Sequence, residues 1–395
     1  MNDNDVYIVS AARTPIGSFS GSLKDISAVK LGALVIEAAI QRAGIQTEAV
    51  EEVIMGNVLQ AGLGQNPARQ SALLAGIPVE IPAVTVNQVC GSGLKAIQLA
   101  WQAIRSGESE IVVAGGMESM SQAPYLLQGA RSGLRFGDQT LVDSMIRDGL
   151  WCANGDYHMG ITAENLCDRY ALTREQLDQF AFESHMKAVT AISEGRFKEE
   201  IVAVEIPQRK GDSIWVDTDE FPRADTSLKR LAALRPAFKN DGMVTAGNSS
   251  GINDGASALV VMSGRKVKEL GLMPLAVIRA NASVGVEPAY MGLGPIPATK
   301  LALLKAGLAI TDIDLIEANE AFAAQSLTFT DQFEFDQARL NVNGGAIALG
   351  HPIGASGARI MTTLLYEMQR RQSTYGLATL CIGGGQGVAV IIERC

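Results

Sequence analysis

Hydrophobic and polar residues along this chain follow two alternating rhythms. Short apolar, β-branched runs at residues 6–9, 53–55, 81–86 and 110–115 predict buried strands. Between them, apolar residues return at helical spacing. Leu31, Leu34, Val35 and Ala38 predict a helix over 28–43, and Pro67 opens a second over 67–75. After the strand at 81–86, Leu94, Ile97, Leu99 and Trp101 predict a third helix. Strand–helix alternation over residues 1–120 implies a layered α/β domain.

The pattern changes over residues 121–250. Residues 121–149 hold glycines and scattered arginines with little periodicity. Residues 162–193 are strongly helical, and Thr173 with Gln176 forms a capping box that opens the second half of that stretch. Residues 199–215 suggest an exposed hairpin. We expect an insertion of loops and a few helices laid over the α/β scaffold, where substrate sites tend to form. Residues 251–271 return to a buried-strand pattern and are expected to complete the first sheet.

Residues 272–395 repeat the opening layout. A helical run near 301–306 leads to the strand 315–318 and then to Asn319, as residues 35–43 lead to 53–55 and Asn57. Asn319 stands 262 positions after Asn57, and the glycine-rich end of the strand at 380–385 parallels 112–116. This points to an internal duplication. The expected organisation is a first half from 1–120 plus 251–271, a loop domain at 121–250 and a second half at 272–395. Two halves facing each other would bring equivalent loops into one cleft.

Composition narrows the function. The chain has 395 residues, 47% hydrophobic and 19% charged, long enough for two or three domains. No apolar run reaches the length of a membrane span, and no basic, apolar leader opens the sequence. A cytoplasmic location and no membrane partner are expected. With 33 basic and 42 acidic residues the net charge is −9, which argues against a nucleic-acid partner. A local patch for an anionic ligand remains open, from Arg223, Lys229, Arg230, Arg235 and Lys239. Five scattered cysteines show neither metal-ligand spacing nor a disulfide framework, so no metal is expected.

Four stretches bear chemistry. Cys90 sits where a strand turns into a helix, followed by Gly91 and Gly93. The helix N-terminus beyond it offers unpaired N–H groups and a positive dipole end, expected to lower the thiol pKa. This is a nucleophile elbow with sulfur in place of oxygen. The plain alternative is a buried structural cysteine. His351, in Gly350-His351-Pro352-Ile353-Gly354, occupies the corresponding place in the second half and can take a thiol proton. Cys381 ends a strand before Gly383, Gly384 and Gly385, as a structural cysteine or a second acid/base. Asn319, in Asn319-Glu320-Ala321-Phe322, is either an N-cap or a group that orients a water or a carbonyl. His185, among Phe182, Met186 and Val189, is expected to be structural or exposed.

Together these stretches resemble those of the thiolase family, in the same order and along nearly the whole chain. The matching strings are Val86 to Gly93, Asn319 to Phe322, Gly350 to Gly357 and Cys381 to Gly387. No catalytic position departs from the family pattern. The resemblance implies duplicated βαβαβαββ halves in a five-layered αβαβα arrangement with an inserted loop domain. It implies reversible ping-pong Claisen condensation of two acetyl-CoA to acetoacetyl-CoA and CoA, without a cofactor. By resemblance Cys90 accepts the acyl group, His351 activates it, and Cys381 moves the α-proton. A water held by Asn319 joins His351 in one oxyanion hole; the N–H groups of Cys90 and Gly383 form the other.

The His158–Met159 pair resembles the short-chain type of the family. Met159, Met291, Ala321 and Phe322 would then border a small acyl pocket. Arg223, Ala246 and Ser250 resemble coenzyme A contacts, with Lys229 or Arg230 as substitutes for Arg223. The region of Arg131 and Arg135 resembles a tetramer-forming loop, so a homotetramer is expected. The nearest alternative is a 3-ketoacyl-CoA thiolase for longer chains. A condensing synthase fed by malonyl groups and a non-catalytic acyl-CoA or lipid carrier are more distant ones.

Overall fold

The computed structural model describes residues 2–395. Strand β1 (Val6–Arg13) is buried along its whole length. Helix α1 (Ala28–Ala43) starts where the Ser27 side chain accepts a hydrogen bond from Lys30 N, a cap worth ~1 kcal/mol. It stops at Gly44, whose φ of 69° favours a residue without a side chain. Then follow β2 (Glu52–Gly56), α2 (Pro67–Leu74), β3 (Ala83–Val86), α3 (Ser92–Ser106) and β4 (Ile111–Ser119). The loop region holds α4 (Met159–Tyr170), α5 (Arg174–Ser193) and the antiparallel hairpin of β5 (Val204–Ile206) and β6 (Ile214–Val216). The Thr173–Gln176 capping box is formed at the start of α5. After the loop region β7 (Asn253–Ser263) returns to the first half, and the second half holds β8 (Ala276–Gly285), α6 (Pro295–Ala306), β9 (Leu315–Ala318), α7 (Ala323–Asp331), α8 (Ser356–Arg371), β10 (Tyr375–Ile382) and β11 (Gln386–Arg394).

The strands run in the order β9-β10-β11-β8-β1-β7-β4-β2-β3. β7 lies between β1 and β4, so a strand that follows the loop region is built into the first half's sheet. Hydrogen bonding is continuous between the halves, but the join is only Tyr7–Val277 and Ile8–Ala276. Burial shows how the halves are layered. One face of β1, β2, β4 and β7 packs on α1 and α2 through Val9, Met55, Val113 and Val260. Their opposite face shares a core with α3, α8 and the second half's strands, through Ile54, Leu94, Ile360 and Val390. The far face of that second sheet packs on α6 and α7 through Ile391, Ala302 and Phe329. The layers are therefore helix, sheet, helix, sheet, helix. Strand residues alternate between cores because side chains alternate across a pleat.

One strand departs from the expected burial. Residues 81–86 read as a buried strand, yet β3 is an edge strand paired only with β2, and Val84 is 41% exposed. β-branched residues favour any pleated strand, central or edge. The loop region is tied to the first half by Arg13, whose Nε reaches Glu200 at 2.6 Å. Its two Nη atoms reach Asp219 at 2.7 and 2.8 Å, with all three side chains buried. No helix among the described residues is long and apolar enough to cross a membrane.

Candidate active site

The ends of the strands and the starts of α3 and α8 converge on a cleft of about 830 Å³. Cys90 enters it from a tight corner. Val89 is held at φ 47°, an uncommon conformation for a β-branched residue and a mark of local strain. The Ser92 hydroxyl fixes the corner by accepting from Gln88 N at 2.8 Å and donating to Val89 O at 2.7 Å. A side chain at Gly93 would come within 2.7 Å of Ala358 N, and one at Gly91 would run into Ile382, so the corner abuts the second half.

The backbone N–H groups of Gly383 and of Cys90 itself act on the Cys90 thiol. They favour the thiolate, yet burial outweighs them and pushes the thiol up to about 11. The expected lowering of this pKa is therefore not found. The helix end supplies donors, but the surrounding protein removes more water than they replace.

His351 reaches the cleft from the turn before α8. Its backbone N–H donates to Asn253 Oδ1 at 2.9 Å. Its Nδ1 lies 2.6 Å from Ser356 Oγ, and that hydroxyl donates to Pro352 O at 2.9 Å. Since the hydroxyl proton is spent on Pro352, His351 donates Nδ1–H, and Nε2 carries the free lone pair. Nε2 is buried without a protein partner. Burial, and then the Arg359 charge, hold the imidazole down to about 3, so it is neutral at pH 7.

Asn319 follows β9 and is buried, with both side-chain amide atoms unpartnered in the protein. Such a group calls for a water or a substrate oxygen. It is no N-cap: Phe322 is the residue before α7. Cys381, near the end of β10, is fully buried beneath the cleft. Burial and then the neighbouring Cys90 raise its thiol far above the ordinary value. Cys381 packs in one cluster with Met159, Met291 and Phe322, which line the cleft that Cys90 enters, although 291 positions separate the two cysteines in sequence.

The predicted binding residues surround the same cleft. His158 caps α4, with Nδ1 accepting from Gly160 N at 3.1 Å, so its Nε2 carries the proton. Its ring stacks on Phe238 at 4.6 Å, and Phe238 meets Phe322 edge-on at 6.2 Å. Met159 stands against Gly383: a Cβ there would lie 3.3 Å from the Met159 sulfur. Met291 and Ala321 complete the apolar wall. Ser250 N donates to Ala321 O at 3.0 Å, joining the Ala246–Ser250 side of the cleft to the Asn319 loop.

The basic patch is not one patch. Arg230 pairs with Asp225, and Lys239 with Asp168 at 2.8 Å. Arg223 alone among the five lines the cleft, its guanidinium over the Phe221 ring at 5.3 Å. Sequence reasoning missed what holds it. His185 is buried and accepts from Arg223 N at 3.2 Å; burial, then Arg223, press its pKa down to about 4. No periodicity links positions 185 and 223. Also missed were Asn253 and Ser356, which orient His351; the serine beside a helix start was the available signal. Among the described residues no cluster of His, Cys, Asp or Glu is arranged to hold a metal.

Residues 6–265 match the thiolase N-terminal domain and residues 272–394 the thiolase C-terminal domain. The acetyl-CoA acetyltransferase of Pseudomonas aeruginosa is 60% identical, over 99% of this chain and 99% of its own length. A probable acetyl-CoA acyltransferase of Staphylococcus epidermidis is 54% identical over 98% of both chains. The crystal structure of the Bacillus anthracis acetyl-CoA acetyltransferase superposes with a TM-score of 0.97 at 44% identity, covering 99% of each chain.

Proposed function

The chain belongs to the thiolase family, and from that premise we propose that it is an acetyl-CoA acetyltransferase, condensing two acetyl-CoA to acetoacetyl-CoA and CoA, and the reverse. The observation that carries this reading is the convergence of Cys90, Gly383 and His351 on one cleft, with the His351 Nε2 unprotonated and without a protein partner.

Both groups rest neutral, so proton transfer accompanies attack. His351 Nε2 takes the thiol proton as the Cys90 sulfur bonds to the acetyl carbon. The carbonyl oxygen turns negative in the pocket of the Cys90 and Gly383 N–H groups. The bond to the coenzyme A sulfur breaks as the Cys381 thiol protonates that sulfur, which leaves acetyl-Cys90, a Cys381 thiolate and a protonated His351. A second acetyl-CoA then loses its α-proton to the Cys381 thiolate, which returns to the thiol. The resulting enolate oxygen is met by His351 Nε2–H and a water held by Asn319. Its carbon attacks acetyl-Cys90, acetoacetyl-CoA leaves, and the released Cys90 sulfur recovers its proton from His351 Nε2. Pre-placed donors in a dry site make so weak a carbon acid reactive. None of these steps calls for a metal or a redox cofactor.

The wall of His158, Met159, Met291 and Phe322 supports a short acyl group, and Arg223 with Ala246 and Ser250 a coenzyme A site. The staphylococcal relative's name favours a second reading, an acyltransferase of broader chain length. Thiolysis rates of acetoacetyl-CoA and a long-chain 3-ketoacyl-CoA decide between them. We expect acetoacetyl-CoA to be preferred by about tenfold or more, the scale of a few misfitted methylenes; a preference for the long chain overturns the short-chain reading. The exposed loop around Arg131 and Arg135, with Phe136 wholly uncovered, supports assembly as a homotetramer. Light scattering that gave a single-chain mass would refute the tetramer.

A further inference from the structure

The duplication pairs the catalytic positions of the second half with residues of the first. Gly56 stands opposite Gly116 across β2 and β4, and Ala318 opposite Thr379 across β9 and β10. One residue beyond the first member of each pair lie Asn57 and Asn319; two beyond the second lie Glu118 and Cys381. The next strand confirms the match, since Glu118 faces Gly255 on β7 and Cys381 faces Gly387 on β11. Glu118 is therefore the first half's counterpart of Cys381. It is fully buried and plays no part in the reaction described above.

Its carboxylate collects four N–H donors. Oε1 accepts from Asn57 Nδ2 at 2.8 Å and Leu59 N at 3.2 Å; Oε2 accepts from Val58 N at 3.0 Å and Gly354 N at 2.9 Å. Three of these belong to the loop after β2. The fourth belongs to the turn that presents His351, three residues earlier, with Pro352 stiffening the link. That turn is seated backbone to backbone. A Cβ on Gly354 would lie 2.7 Å from Glu118 Oε2 and 2.8 Å from Met117 O, and one on Gly116 would strike Gly354 O. Only an acceptor-only group with two oxygens satisfies such a ring of donors. An amide would turn its own N–H groups on two of them and leave buried donors unpaired.

We propose that Glu118 is a positioning residue, which sets the His351 turn against the Cys90 elbow by holding Gly354 N–H and the Val58–Leu59 loop on one carboxylate. The proposal rests on the acetyltransferase reading, in which His351 must meet the Cys90 thiol at bonding distance. Glu118 touches neither reacting sulfur. The duplication thus leaves one half with the chemistry of its strand end and the other with the clamp that aligns it.

The test compares Glu118→Gln and Glu118→Asp with the parent chain. The readings are steady-state kinetics with acetyl-CoA and acetoacetyl-CoA, the single-turnover rate of Cys90 acetylation, and hydrogen exchange over residues 350–357. For Glu118→Gln, kcat and the acetylation rate should fall about a hundredfold, as an ångström of misplacement costs. KM should stay within about twofold, and exchange should quicken at the His351 turn. Glu118→Asp keeps the charge and should recover part of the loss. A Glu118→Gln enzyme with parental kcat, a loss residing wholly in KM, or failure of both variants to fold would each overturn the assignment. A parent chain inactive on acetoacetyl-CoA would instead refute the acetyltransferase reading, so the two failures are told apart.

Discussion

Cys90 and His351 wait in neutral forms, each held there by burial. The thiol is pushed up to about 11 and the imidazole down to about 3. No ion pair is stored between them, so the proton crosses only when a thioester carbonyl arrives to receive the sulfur. The sign is checkable. A lowered imidazole pKa means that His351 binds its proton near pH 3, not near the 6.5 of a free histidine. With three histidines in the chain, histidine-labelled NMR resolves each one. We expect His351 to stay neutral from pH 8 down to pH 5, and His185, with a pKa of about 4, to stay neutral as well until it begins to protonate at the acid end of that range, ahead of His351. A His351 titration centred near 6.5 would contradict the account. The sequence made Cys90, His351, Cys381 and Asn319 conspicuous, because each ends a strand or precedes a helix beside glycines. It could not disclose the charge states, since a helix terminus is visible in a sequence while the degree of desolvation is not. Nor could it disclose that Arg230 and Lys239 are already paired, because their partners Asp225 and Asp168 meet them only in the fold.

At the scale of elements, local signals were strongest where a cap and an apolar stripe coincide. Helix α1 has the bounds that its spacing predicts, 28–43, and Thr173 with Gln176 opens α5. Strand β3 was legible as a strand but not as an edge, because edge or centre is a property of the neighbours. The close seating of the His351 turn was also hidden. Its signs are glycines at Gly56, Gly93, Gly116 and Gly354, which a sequence shows equally well as turns or flexible sites. Their role here is contact: each stands where a side chain would press on backbone of the other half or of the loop between. Gly116→Ala should therefore be costly although β4 is otherwise a sound strand. The added methyl strikes the Gly354 carbonyl, which is backbone and cannot swing aside. We expect a loss of about 1–3 kcal/mol in stability, read by denaturant unfolding, together with a lowered kcat. A variant with parental stability and kcat would show that the turn has slack.

At the scale of the molecule, the duplicated halves share one central helix layer, and both approach a single cleft with the same strand and helix ends. The offset between Asn57 and Asn319 was enough to reveal the repeat, but not its division of labour. Only the strand register shows that Glu118 and Cys381 are counterparts, one clamped by N–H donors and the other free to exchange a proton. The central claim is that the cysteines brought together by this arrangement hold different offices: Cys90 takes the acetyl group and Cys381 the α-proton. The most direct test is rapid mixing with acetyl-CoA, acid quenching and peptide mass spectrometry, run on the parent chain and on Cys90→Ala and Cys381→Ala. We expect one acetyl group on the Cys90 peptide in the parent and in Cys381→Ala, none in Cys90→Ala, and α-proton exchange lost in Cys381→Ala alone among acetylating forms. An acetyl group carried by Cys381, or acetylation that survives the loss of Cys90, would contradict the account.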